Sequence, residues 1–217
     1  MMDFDTLARE CAPNVHPTTL QALVRTESGF NPFAIGVVGG RLVRQPKTRE
    51  EAVATARSLE AQGLNFSMGL GQVNKANLGR YGLTYETVFD MCANLKAGSG
   101  ILHDCYSRAV PAVGKDAALG AALSCYYSGN FKRGFKTDFK GTSYVQRVAA
   151  NAGQVAQASS VVPAIPVVLD GAAGKKTVVR PRAAQASASG EARSEAAVAA
   201  ESEPKAASWD AFGDFIK

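Results

Sequence analysis

Glu27 stands where a helix would be expected to carry a leucine. Upstream of it, Leu20, Leu23 and Val24 recur at helical spacing, and Glu27 falls next on the same stripe. Pro17 suits a first helical turn, where its missing N–H costs nothing. Gly29 suits a C-cap, and Pro32 forbids continuation. The spacing therefore predicts a helix over 17–28 with a carboxyl on its apolar side. Burying a charged carboxylate is costly unless it is paired or protonated. Apolar surroundings destabilise the ionised form, raise the pKa and suit the group to general acid work. Taken alone, the stripe is more simply explained by a glutamate that turns to solvent or pairs with an arginine.

Four further stretches carry side chains that could assist such an acid. SMGLGQVN at 67–74 sets Gly69 and Gly71 around Leu70 and ends in Gln72. Its glycines would let backbone approach a ligand closely, although an ordinary turn would read the same. ANLKAGSGIL at 93–102 begins with Asn94 and carries Gly98 and Gly100. Glycine inside a helix is costly, and here it implies tight packing. ALSCYYSGN at 122–130 ends a helix in Tyr126 and Tyr127, and SYVQRV at 143–148 puts Tyr144 in a first turn. Each tyrosine is individually compatible with plain packing.

The elements that must hold these residues are mostly helical. Periodicity predicts helices over about 3–11, 17–28, 49–62, 91–109 and 115–127, with a last one starting near Ser143. Thr48 and Glu51 have capping-box spacing, and Asp90 can cap the 91–109 helix. AIGVV and RLVR, around Gly39 and Gly40, imply a small hairpin or an ordered loop. NFSMGLGQVN is expected to be a glycine-punctuated loop running into a short helix. From 151 to 207 there is no aromatic residue, and such a segment cannot bury enough surface to order itself. The expected organisation is a domain over 1–150, a disordered linker over 151–207 and a short aromatic segment at 208–217.

Charge and cysteine content narrow the classes. The net charge is +5, and residues 1–150 carry all of it, with 17 basic and 12 acidic side chains against 7 of each in the remainder. A modest basic excess suits an anionic polymer without identifying one. No stretch approaches the ~18 apolar residues of a membrane span. MMDFDTLARECAPN lacks the basic start and apolar run of a signal peptide. Cys11, Cys92, Cys105 and Cys125 allow two disulfides in three pairings, or four reduced thiols. Cys92 and Cys105 fall on one helix about 20 Å apart, too far to bridge. His16 and His103 are isolated, no CxxC is present, and no cofactor is expected.

Taken in order, the stretches resemble the lytic transglycosylase family. Glu-Ser at a helix end, then GLGQ, N-L-x-x-G, a Tyr-x-x-Gly helix end and Y-V-x-x-V follow the family's motifs across about residues 5–150. The resemblance implies a mainly α, goose-type lysozyme-like fold and cleavage of peptidoglycan. RTESGFNPFAIGVVGG together with SMGLGQVN is most similar to the subgroup attached to type IV secretion and conjugation systems. On this resemblance Glu27 is the catalytic acid, and Ser28 holds substrate or orients the carboxyl. Gln72 lines the sugar groove beside Met68, Asn94 and Tyr126 surround the cleavage site, and Tyr144 hydrogen-bonds Glu27. One motif departs: where A-Y-N-x-G is common, this chain reads CYYSG, with Cys125 for alanine and Tyr127 for asparagine.

In the family a single acid suffices, because the sugar's own 6-hydroxyl attacks the anomeric carbon and yields a 1,6-anhydro product. Consistent with that, no second acidic residue lies in the motifs, and Asp90 and Asp104 fit a helix cap and a surface charge. The implied place is the periplasm and the implied partner is the glycan strand. A hydrolytic muramidase such as a phage endolysin, and a non-catalytic wall-binding module, are the competing readings. FKRGFKTDFK at 131–140 interleaves basic and aromatic residues as a nucleic-acid binder would, although the same patch suits anionic glycan. In SWDAFGDFIK, Trp209, Phe212, Phe215 and Ile216 share one side of a short helix and suggest docking to a secretion-system component.

Overall fold

Local capping sets the helix boundaries in the computed structural model, which describes residues 3–158. Asp3 accepts from the Thr6 amide and opens α1 (Phe4–Cys11). Pro17 begins α2 (Pro17–Ser28), which ends at Gly29 in the left-handed region at φ 59°. Thr48 accepts from the Glu51 amide at the start of α3 (Arg49–Ala61). The expected capping box is only half made, because the Glu51 carboxylate binds the Lys47 amide and Arg44 instead. Asp90 accepts from the Ala93 amide and opens α4 (Met91–Val113). This helix runs past the expected end near 109: Pro111 lies within it, close to its C-terminus, and the chain turns at Gly114. The Gly114 turn leads into α5 (Lys115–Ser128), and α6 covers Tyr144–Ala158.

The β structure differs from expectation. Strand β1 (Ile35–Val37) pairs not with RLVR but with β2 (Phe66–Met68), which in turn pairs with β3 (Val73–Asn74) in an antiparallel three-stranded sheet. The RLVR stretch is an ordered loop, and Gln45 just after it replaces the missing strand. Its side-chain amide donates to the Ile35 carbonyl (3.0 Å) and accepts from the Ile35 amide (2.8 Å). The stretch read as a glycine-rich loop thus contains two strands joined by a tight turn. A second ribbon joins β4 (Thr137–Phe139) to β5 (Thr142–Ser143) through Lys140 and Gly141, at φ 48° and 77°. Two successive left-handed residues match the twist that a two-residue hairpin needs.

Two apolar clusters result. Leu20, Leu23 and Val24 of α2 pack with Leu95 and Leu102 of α4, Leu123 of α5, and Val145 and Val148 of α6. Ile35, Phe66, Met68 and Val73 of the sheet pack with Ala52, Ala56 and Leu59 of α3. Helix α4 serves both, with Leu95 in the first cluster and Ala97 in the second. Its glycines allow close approach: a Cβ on Gly100 would lie 2.7 Å from the Tyr81 ring. Helix α6 continues beyond residue 150, so the ordered chain is longer than composition suggested. The rest of the expected linker and the segment at 208–217 lie outside the described residues. Among the described residues, no helix is long and apolar enough to cross a membrane.

The cysteines link elements that are distant in sequence. Cys11 joins Cys92 with Cα atoms 5.1 Å apart, and Cys105 joins Cys125 at 5.8 Å. Cys92 and Cys105, at different turns of α4, each bond elsewhere, as the helical distance requires. Peptide mapping without reductant should recover these two linkages and no other. The linked positions are 81 and 20 residues apart. Loop-closure entropy then predicts that removing Cys11–Cys92 costs about 1 kcal/mol more than removing Cys105–Cys125. Urea unfolding of the two paired-alanine variants checks that order.

Candidate active site

The last turn of α2 projects Glu27 into a cleft of about 430 Å³ between the two clusters. Part of the side chain meets the cleft, while protein surrounds the carboxyl on its other sides. The Tyr144 hydroxyl, on the first residue of α6, donates to Glu27 Oε1 at 2.5 Å. Burial raises the Glu27 pKa to about 7, with the Tyr144 bond and the Arg147 charge pulling the other way. Burial dominates, so the group is protonated for a substantial fraction of the time near neutral pH. Tyr144 is itself buried, and its own pKa is pushed well above 10 by burial first and then by the Glu27 charge. It therefore stays a hydrogen-bond donor across the working range.

The floor of the cleft follows from strand pleating. Ile35, Met68 and Val73 share one row across the sheet and face the core. Gly36, Ser67 and Asn74 occupy the next row and face the cleft. Gln72, held at φ 49°, spans the turn between β2 and β3. Its amide donates to the carbonyls of Ala34 (3.1 Å) and Gly69 (2.9 Å). A Cβ on Gly36 would sit 2.7 Å from Gln72 Oε1, so glycine there makes room for this side chain.

Asn94 secures the same turn from beneath. Its amide donates to the carbonyls of Met68 (2.9 Å) and Val88 (2.8 Å), and its oxygen accepts from the Gly71 amide (2.7 Å). Tyr126 donates its hydroxyl to the Gly71 carbonyl and fills the space left by Gly71 and Gly98. Its pKa is raised well above 10, by burial first and then by Glu27 and Tyr81. The turn is thus clamped to α4 and α5.

The expected site residues therefore divide. Glu27, Gln72 and Tyr126 line the cleft, and Tyr144 bonds the acid as the resemblance implies. Met68 does not reach the groove, because the pleat turns it into the core and presents Ser67 instead. Asn94 is buried with its side-chain oxygen and nitrogen both bonded, so it holds the turn and does not line the cleft. The Ser28 hydroxyl donates to the Val24 carbonyl at 3.2 Å within its own helix and does not orient the Glu27 carboxyl.

Sequence reasoning missed a group beside the acid, of which Tyr127 also lines the cleft. Tyr127 stacks on Tyr144 with ring centroids 4.6 Å apart and planes at 13°. Its hydroxyl donates to Asp138 at 2.7 Å, and Arg147 pairs with the same carboxylate at 2.7 Å. The doubled tyrosine of CYYSG was visible, but the sequence does not show that a hairpin returns Asp138 beside it. Within FKRGFKTDFK, Phe131 packs against the core and Gly134 is pressed against Ser124, so this stretch is part of the fold around α5.

The model of the transglycosylase SLT domain matches residues 6–144 of this chain. The chain belongs to the SLT transglycosylase family. The relatives include the type IV secretion system protein virB1 of Brucella suis biovar 1, 54% identical over 184 residues, which cover 84% of this chain and 77% of that one. Protein virB1 of Rhizobium radiobacter is 35% identical over 165 residues, covering 75% of this chain and 64% of its own. Protein virB1 of Agrobacterium fabrum is 33% identical over 155 residues, covering 70% and 60%. No solved structure matches the chain. The helical frame and small sheets are those of an SLT domain, and Glu27 sits in the cleft between its two clusters.

The raised pKa of Glu27 has a consequence for stability. The ordinary value is near 4.5 and the folded value about 7. Folding therefore favours the protonated form, and keeping the ionised form folded is unfavourable above pH 7. That penalty falls as pH drops from 7 to 4.5 and is absent below. Glu27→Gln, which is never charged, should be more stable than wild type by up to about 3 kcal/mol at pH 8. The two proteins should converge near pH 4.5, as followed by urea denaturation across that range.

Proposed function

We propose that this SLT domain is a lytic transglycosylase that cleaves the MurNAc–GlcNAc β-1,4 bond of peptidoglycan. The observation that carries the reading is a lone carboxyl with a pKa near 7: Glu27 is the one acidic side chain among the described residues that line the cleft. A glycosidic oxygen leaves only when it gains a proton, and Glu27 is poised to supply it. The C1–O bond breaks, the 6-hydroxyl of the same sugar attacks C1, and Glu27 takes back that hydroxyl's proton. The product carries a 1,6-anhydro ring and no water is consumed. A hydrolytic muramidase that inverts or retains by the two-carboxylate routes would need a second acid across the bond. Asp138 serves poorly there, because Tyr127 and Arg147 already engage it.

Gln72, Tyr126, Ser67 and Asn74 offer the polar surface along which a glycan strand would lie. The relatives named for type IV secretion support a role in the cell envelope, with the enzyme opening the periplasmic wall locally for such an apparatus. The aromatic segment at 208–217 would dock a component of that apparatus. Deleting it should leave digestion of sacculi unchanged and reduce secretion in cells. A loss of digestion in vitro would argue against docking.

Incubating purified sacculi with wild type should release muropeptides lighter by one water than hydrolysis products, as read by mass spectrometry. Glu27→Gln should lose about 10² to 10⁴ in rate while remaining folded. Hydrated reducing ends, or variant activity within a few fold of wild type, would refute the assignment.

A further inference from the structure

Beside the Glu27–Tyr144 pair lies a closed ring of contacts, one member of which, Tyr127, also lines the cleft. The Tyr127 ring lies nearly parallel to that of Tyr144, at 4.6 Å. The Tyr127 hydroxyl reaches Asp138 Oδ2 (2.7 Å), and Asp138 Oδ1 accepts from Arg147 Nη1 (2.7 Å). Arg147 also donates to the Thr142 carbonyl (3.1 Å), and its guanidinium carbon lies 5.9 Å from the centre of the Tyr144 ring. The Asp138–Arg147 pair is only 20–25% exposed, so it is less screened than an open surface pair.

Three elements build this ring. Tyr127 comes from the end of α5, Asp138 from β4, and Tyr144 and Arg147 lie one turn apart on α6. The two-residue turn at Lys140 and Gly141 folds β4 back so that Asp138 meets Arg147 nine residues on. Gly134 fixes the approach to β4. Its amide donates to Ser124 Oγ (2.8 Å), and any Cβ there would lie 2.6 Å from the Ser124 Cα.

We propose that Asp138 and Tyr127 are positioning residues for the acid: Tyr127 braces the Tyr144 hydroxyl against Glu27, Asp138 balances Arg147, and together they set how readily Glu27 gives up its proton at working pH. Tyr127 braces one partner of the 2.5 Å bond to Glu27 by stacking on it. Asp138 ties down Tyr127 and offsets the Arg147 cation, which would otherwise favour the carboxylate. The charged and titratable groups around the acid are Tyr144 and Arg147 from α6 and Tyr126 from α5, with Tyr81 behind Tyr126. Around Tyr127 they are Asp138, Arg133 and Arg147. The tyrosine stands where the family motif commonly has asparagine, so the brace belongs to this variant of the motif.

The signs are opposed, which makes the proposal testable. Asp138→Asn keeps an acceptor for Tyr127 but removes the negative charge, so the Glu27 titration should move to lower pH. Arg147→Gln removes the cation and should move it to higher pH. Both shifts should be on the order of half a pH unit or more. Tyr127→Asn should release Tyr144 and move the titration up, and Tyr127→Phe, which keeps the stack, should restore most of the wild-type position. The readout is the side-chain carboxyl of Glu27 in carbon-13-labelled full-length protein, followed by NMR against pH, alongside the alkaline limb of sacculus digestion. The proposal rests on Glu27 being the acid of the proposed reaction, and the NMR titration is independent of turnover. Opposed NMR shifts in a protein that digests no sacculi would uphold the brace and refute the function. Active variants whose Glu27 titration coincides with wild type would overturn the brace.

Discussion

The structure is organised around one carboxyl, Glu27, poised between its neutral and ionised forms near pH 7. Burial alone would push the Glu27 pKa higher still and make the proton harder to give up. Full solvation would leave it ionised with nothing to donate. The Tyr144 hydroxyl and the Arg147 charge act against burial, and the balance falls at about 7. Such a balance needs rigid surroundings, because each contribution falls off steeply with distance. Much of the rest of the molecule supplies that rigidity.

Two arrangements do so from opposite sides. On the helical side, α2 and α6 pack along one another, and Leu23, Val24, Val145 and Val148 bury the seam from which Glu27 and Tyr144 emerge. On the sheet side, Asn94 bonds the turn between β2 and β3 through both its side-chain oxygen and its nitrogen. Both use glycine where backbone must come close: Gly71 and Gly98 admit the Tyr126 hydroxyl, and Gly134 admits α5. A buried asparagine is worth its desolvation only when every polar atom is satisfied, as here. This explains why Asn94 carries the geometry of the site without lining it.

Some of this was legible in the chain alone. The stripe through Leu20, Leu23, Val24 and Glu27 and its end at Gly29 follow from helical period and capping, which act within a few residues. The same holds for the caps Asp90 and Thr48, and for the exclusion of a Cys92–Cys105 bridge along one helix. The ordered motifs identified the family and hence the Tyr144–Glu27 bond, which joins residues 117 positions apart.

What the sequence left open was decided by pairing between distant segments. Strand β1 could have paired with RLVR beside it, yet it pairs with β2, because that register buries Ile35, Met68 and Val73 in one row against α3. The same register sends Met68 inward and Ser67 to the cleft, since neighbouring residues of a strand face opposite ways. Local propensity could not choose, because both candidate partners are only a few residues long. Likewise, Asp138 reads as one acid among lysines until a two-residue turn returns it to Arg147 and Tyr127. Periodicity within the chain set which side of α2 carries the acid. Only the tertiary fold set what surrounds that acid, because its pKa depends on burial and charges contributed by other elements.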